Sequence, residues 1–280
     1  MFTQRSVRLS WRVFLGGSGI ALASLLALGA VDRAAATSDI GGAVRPTIVL
    51  VHGDWADASS WTGVIERLQR KGFTTVAPPN RLRGPATDAT YLADYLKTIA
   101  GPIVLVAHSY GGFVATNAAT GNPNVKALVY IDAFMPAEGE TLGGLAESSG
   151  SCIDQSALEP VPSDDGADLY LRWAANGSYQ GFAKCFANGV NPEKAAVLAA
   201  EQRPAAAAQF TEPSGPPAWE SIPSWSLIGT ADHVIPPALQ EQMSARAHAH
   251  ATKVNAGHLS LLTNPADVTN VILSAVDATS

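Results

Sequence analysis

The stretch Ile103-Val104-Leu105-Val106-Ala107-His108-Ser109-Tyr110-Gly111-Gly112 decides the fold. Five apolar residues run without a polar break into the polar corner His108-Ser109-Tyr110, and an alanine-rich segment follows at once. A strand that is apolar at every position is covered on both faces, as strands of a parallel sheet are. Passing from that strand into a helix with Ser109 at the apex needs a sharp turn. Strand and helix nearly touch there, so the positions two before and two after the serine must be small, and Ala107 and Gly111 are. Ala107 stands where this motif usually has glycine, a mild departure. A serine displayed on such a turn is a candidate nucleophile.

Working outward, apolar runs alternate with helical spacing. Thr47–Val51 reads as a short buried strand ending at His52-Gly53. Trp61, Val64, Ile65 and Leu68 recur at helical intervals over 59–71, and Gly72 ends that helix. A strand over 73–77 stops at Pro78-Pro79. Asp88 is read as the cap of a helix reaching Ile99. Val125–Ile131 is a further strand, and 225–229, a helix over 237–247, 252–255 and a last helix from about Asn264 resume the pattern. Strands alternating with helices predict an α/β fold: a mostly parallel, doubly wound sheet. Between about 136 and 223 the alternation breaks. That Gly-, Ser-, Pro- and Ala-rich stretch reads as a small, mainly helical insertion, with helices near 167–175 and 192–200 and a helical alanine run at 205–208.

Residues 1–36 read as an export signal: Arg5, Arg8 and Arg12, then an uncharged stretch from Val13 to Val31, then Ala34-Ala35-Ala36. The other reading of the same stretch is an uncleaved anchor, since it is just long enough to span a bilayer. The expected mature domain is 37–280, exported, with no membrane contact after cleavage. Net charge is −6; the first 36 residues carry +3, which leaves −9 for the rest. Such an acidic domain without a basic run excludes nucleic acid as a natural partner. The two cysteines, Cys152 and Cys185, both fall in the insertion, and an oxidising destination makes them a candidate disulfide.

A serine hydroxyl needs a base. Of six histidines, His52 and His108 sit beside backbone features and are read as shaping turns. His248 and His250 lie around a helix end, and their spacing does not suit a metal site. His258 follows the last strand, at the edge of a parallel sheet where active sites gather, and is the expected base. Asp232 follows the penultimate strand in the same way and is the expected acid. Asp132, which ends the strand after the serine turn, is its rival. The chain order serine, acid, histidine suits this fold. For a developing oxyanion, the backbone N–H of Tyr110 and that of Asp54 are the candidate donors. Asp54 can serve only if its carboxylate points away, because like charges repel. Tyr170, Trp173, Tyr179, Phe182 and Phe186 are read equally as lining a pocket or as core of the insertion. Nothing implies a cofactor or a metal.

On Val49–Trp55 with Trp61, Val106–Gly112, Gly229–Pro236 and Ala256-Gly257-His258, the chain resembles the α/β-hydrolase superfamily over nearly all of 46–278. Within it the chain looks most like the branch of small esterases and hydroxynitrile lyases that includes plant methyl esterases and bacterial pyrethroid-type esterases. The resemblance implies a small lid after the strand at 125–131 and a small-molecule ester as substrate. Hydroxynitrile lyases carry lysine where this chain has Leu259 and threonine where it has Gly53, so both departures favour ester hydrolysis. Epoxide hydrolases and dehalogenases of this fold use an aspartate nucleophile, which Ser109 argues against. Two other expectations stay open: amide, C–C or lyase chemistry on the same residues, and a catalytically weak ligand-binding protein.

Overall fold

The computed structural model describes residues 44–173 and 181–279. The segment 1–36, read as an export signal, and Tyr179 lie outside them. The elements run β1 (Thr47–Val51), α1 (Thr62–Arg70), β2 (Thr75–Val76), α2 (Pro85–Lys97), β3 (Ile103–Ser109), α3 (Gly111–Ala118) and β4 (Val125–Ala133). An insertion follows with α4 (Leu142–Ser149), β5 (Leu158–Ser163), β6 (Gly166–Leu171), α5 (Pro192–Glu201) and β7 (Ala205–Ala206). The chain closes with β8 (Ser224–Gly229), α6 (Pro237–Arg246), β9 (His250–Val254), α7 (Ser260–Thr263) and α8 (Pro265–Thr279).

Six strands form one sheet in the order β2-β1-β3-β4-β8-β9, and every neighbouring pair is parallel. Every residue of β3 is buried, as an apolar central strand with neighbours on both edges and helices on both faces must be. Each fully buried Val, Leu or Ile contributes roughly 1.5–3 kcal/mol. The chain moves outward from β1 to β2, then returns to lay β3 on the other side of β1. The strand order therefore reverses between β1 and β3, and a crevice opens above their carboxyl ends. The loop after β1 and the turn at Ser109 both enter that crevice.

Several boundaries differ from expectation for identifiable reasons. Strand β2 keeps two residues at a sheet edge. Helix α1 is preceded by a 3-10 turn, Ala58–Trp61, capped by the Asp57 side chain. Helix α2 starts at Pro85, whose missing N–H costs nothing at a first helical position. Asp88 is then one turn inside, and its carboxylate accepts from the N–H groups of Arg83 and Gly84.

The insertion corrects the mainly helical expectation. Residues 166–171 are a strand, and β5-β6-β7 form a three-stranded antiparallel sheet. Ser163 pairs with Gly166, so Asp164-Asp165 is the two-residue loop of a tight hairpin. Pro160 and Pro162 sit in β5, at the edge of this sheet, where their missing donors break no ladder. The alanine run is not a helix: Ala205–Ala206 is β7, and Ala207–Phe210 is a 3-10 turn. Helix α5 falls where its spacing places it. Cys152 and Cys185 are bonded, their Cα atoms 5.8 Å apart, joining the segment after α4 to a π-helical turn at Phe182–Phe186.

Candidate active site

Strand β3 ends at Ser109 with φ +53, a left-handed conformation unusual for a residue with a side chain. Such strain costs on the order of 1–3 kcal/mol and persists only where the surroundings enforce it. The enforcement is visible in the neighbours. A side chain at Gly111 would stand 2.8 Å from the Val51 carbonyl oxygen, and one at Gly53 would stand 2.6 Å from Ser109 Cβ. Glycine is therefore required on both sides of the hydroxyl, and a threonine at position 53 has no room on this backbone.

The loop after β9 brings His258 to that hydroxyl. Ser109 Oγ donates to His258 Nε2 at 3.0 Å, and His258 Nδ1 donates to Asp232 Oδ2 at 2.9 Å, in the tautomer that satisfies both bonds. All three residues are buried. Burial pushes the imidazole down to about 3, so it is neutral and able to accept a proton near pH 7. Burial pushes the Asp232 carboxyl up, opposed by its hydrogen bonds. Its Oδ1 accepts from the N–H groups of Ile235 and Val234, and its Oδ2 also accepts from Gln240 Nε2.

Asp132 reaches the same edge but does not face His258. Its Oδ1 accepts from the Gly229 N–H at 2.7 Å, and its Oδ2 accepts from the N–H and the hydroxyl of Ser260. It thus ties the end of β8, which leads to Asp232, to the start of α7, just after His258. Burial first, and the nearby Asp232 charge second, raise its pKa well above the usual carboxylate range. His108 has a related part: its Nε2 donates to the His258 carbonyl oxygen at 2.9 Å. His52 Nδ1 donates to the Gly53 carbonyl oxygen, and its Nε2 accepts from the Asn80 N–H. Both histidines shape turns, as their positions suggested. His250, on β9, packs against Trp225, on β8, with their rings 5.1 Å apart and tilted.

The two candidate oxyanion donors flank the serine, and among the described residues neither the Asp54 nor the Tyr110 N–H meets an acceptor. The Asp54 carboxyl is anchored by Gln209, whose Nε2 donates to Oδ2 at 2.7 Å. Burial pushes it up to about 7 against that bond, so much of it is uncharged near neutrality and repels an oxyanion less.

A small, largely apolar cleft opens beside Ser109. Trp55, Phe134, Leu142, Ile153 and Phe210 line it, most of them residues the sequence did not single out. They share no periodicity or motif, so no signal in the chain marks them. Of the insertion aromatics, Phe186 lies 5.3 Å from the His258 ring and 5.8 Å from that of Trp55. Phe182 packs behind it as core, while Tyr170 is half-buried in β6 and Trp173 is largely exposed. Trp55 carries the insertion in turn, its indole N–H donating to the Leu169 carbonyl of β6.

A sequence model of the alpha/beta hydrolase family matches residues 48–271. A carbendazim hydrolyzing esterase from Nocardioides sp. is 34% identical over 110 residues, covering 35% of this chain and 46% of that protein, so the match spans about half the relative's length. Among solved structures, a pyrethroid hydrolase from Sphingobium faniae superimposes with a TM-score of 0.65 at 20% identity, covering 83% of this chain and 98% of the other. A methylesterase protein from Arabidopsis gives a TM-score of 0.65 at 17% identity, covering 83% and 99%. At those identities the two superpositions establish a shared fold.

Proposed function

The chain belongs to the alpha/beta hydrolase family, and from that premise we propose that it is a serine hydrolase of small, largely apolar carboxylic esters. The observation that carries the proposal is the buried relay Ser109–His258–Asp232, with contacts of 3.0 and 2.9 Å. In this reading Ser109 Oγ attacks the ester carbonyl while His258 Nε2 takes its proton. Asp232 fixes the imidazole tautomer and steadies the imidazolium. The N–H groups of Asp54 and Tyr110 stabilise the tetrahedral oxyanion. Collapse expels the alcohol, which takes the proton from His258. Water, activated by the same histidine, then hydrolyses the acyl-serine and restores the hydroxyl. The small apolar cleft supports small or compact acyl groups, and carbendazim is one compound to try, given the relative. Leu259, buried beside His258 where a lyase of this fold carries lysine, favours hydrolysis over cyanohydrin cleavage.

Export of a chain processed after residue 36 belongs to the same proposal, supported by the basic-then-apolar leader and the Cys152–Cys185 bond. The test of the activity is turnover of p-nitrophenyl acetate and butyrate, with fluorophosphonate labelling mapped by peptide mass. We expect turnover and a label on Ser109. A chain that binds these esters without cleaving them, or a label elsewhere, would replace this reading with that of a ligand-binding protein.

A further inference from the structure

The cleft beside Ser109 is apolar along most of its wall, yet one acidic side chain lines it, that of Asp54. Only half of this carboxyl is accounted for. Oδ2 is held by Gln209, but Oδ1 is buried and has no hydrogen-bond partner among the described residues. Gln209 is itself wholly buried, and its Oε1 is unpartnered too. A buried acceptor left without a donor is costly, so natural structures seldom keep one without a use. Among the described residues no basic side chain pairs with Asp54, and the charge of Asp88, also an acid, acts on it. The other polar groups of the wall are committed elsewhere: the Ser109 hydroxyl to His258 Nε2, the Trp55 indole to the Leu169 carbonyl oxygen, and Ser151 to the Val234 carbonyl oxygen at 2.6 Å. Once Asp54 is ionised, the pair thus holds two acceptor oxygens and no answering donor, on the residue whose own N–H is proposed to hold the oxyanion.

We infer that Asp54 is a specificity-determining residue whose free Oδ1 accepts a hydrogen bond from a hydroxyl or N–H that the ester carries close to its reacting carbonyl. Gln209 is the positioning residue, holding the other oxygen so that Oδ1 keeps one direction. The preferred substrates are therefore esters with a donor on the α or β carbon, in an otherwise apolar acyl group. A plain ester fills the same cleft and leaves Oδ1 unanswered. This inference rests on the ester-hydrolase reading.

The test compares kcat/KM for methyl 2-hydroxybutanoate and methyl 3-hydroxybutanoate with that for methyl butanoate, each normalised to its alkaline hydrolysis rate. At about pH 8.5 the carboxyl is mostly ionised, and a hydrogen bond to a charged group gives the better hydroxy ester an advantage of about ten- to a hundredfold. Asp54→Ala should bring that ratio to about one. Asp54→Asn keeps the shape: Gln209 retains the amide oxygen, an NH2 takes the free position, and the ratio should fall to one or below. The ratio divides out any general loss of activity, and the wild-type ratio needs no variant to fold. A wild-type ratio near one, or a variant ratio equal to wild type, overturns the inference while the esterase reading stands. No cleavage of any of the three esters overturns both.

Discussion

Asp232 and Asp132 are both buried carboxylates at the same sheet edge, and their partners separate them. Asp232 meets the imidazole, whereas Asp132 meets Gly229 and Ser260. Asp232→Asn should therefore lower kcat by about four orders of magnitude, since an amide can stabilise the wrong histidine tautomer. Asp132→Asn should cost far less kcat and show mainly as a lower Tm. Steady-state kinetics with thermal unfolding of both variants checks the pair, and the reverse ordering would reassign the acid. Because burial holds His258 below its usual value, it stays unprotonated well under pH 6.5. The acid limb of kcat/KM on an uncharged ester should accordingly fall below that pH. Asp54 carries the opposite sign. Its pKa is raised on folding to about 7, so the native state holds its proton more tightly and stability is lost as pH rises from about 4 to 7. Asp54→Asn removes that loss. Its Tm relative to wild type should climb over this interval and level off above it; a difference independent of pH would contradict the raised pKa.

Among the elements, the insertion is the one whose order rests on a covalent tie. The Cys152–Cys185 bond closes a loop whose ends are 33 positions apart. Chain-entropy estimates give roughly 3–4 kcal/mol for such a closure. One end is fastened to the Asp232 loop, since the Cys152 N–H donates to the His233 carbonyl oxygen and Ser151 Oγ to that of Val234. The other end carries Phe186 onto the His258 ring. Neither cysteine belongs to the six-stranded sheet. Reduction, or Cys152→Ser with Cys185→Ser, should thus lower activity and open 136–223 to protease before the main unfolding transition moves. Limited proteolysis alongside calorimetry reads the two events separately, and their coincidence would show that the insertion unfolds with the sheet.

For the whole molecule, the described residues, 44–173 and 181–279, fall in one compact unit, and no helix among them is long and apolar enough to cross a membrane. The acidic balance of residues 37–280 and the basic, then apolar stretch before them motivate one further expectation. Expressed with residues 1–36 in a host competent for export, the chain should be recovered outside the cytoplasm with a mass that begins after Ala36. A recovered mass that includes residues 1–36 would favour the anchor.

The sheet was legible because its signals are local. Five apolar residues before Ser109 define a strand wherever they occur, small residues at 107 and 111 define a tight turn, and chain order places Asp232 and His258 on the loops that follow the last two strands. Local patterns report what one segment must bury, and here they were enough for the fold and the candidate relay. The insertion was misread where its local signals were weak or in conflict. Alanine has a high helix propensity, yet Ala205–Ala206 pairs with β6, because pairing with a partner strand outweighs propensity over two residues. Which carboxylate faces His258, what lines the cleft, and why Asp54 keeps a free oxygen are matters of residues far apart in the chain. Gln209 meets Asp54 across 155 positions and Asp132 meets Ser260 across 128. No period or motif encodes such contacts; they exist only once the crevice between β1 and β3 has closed around them.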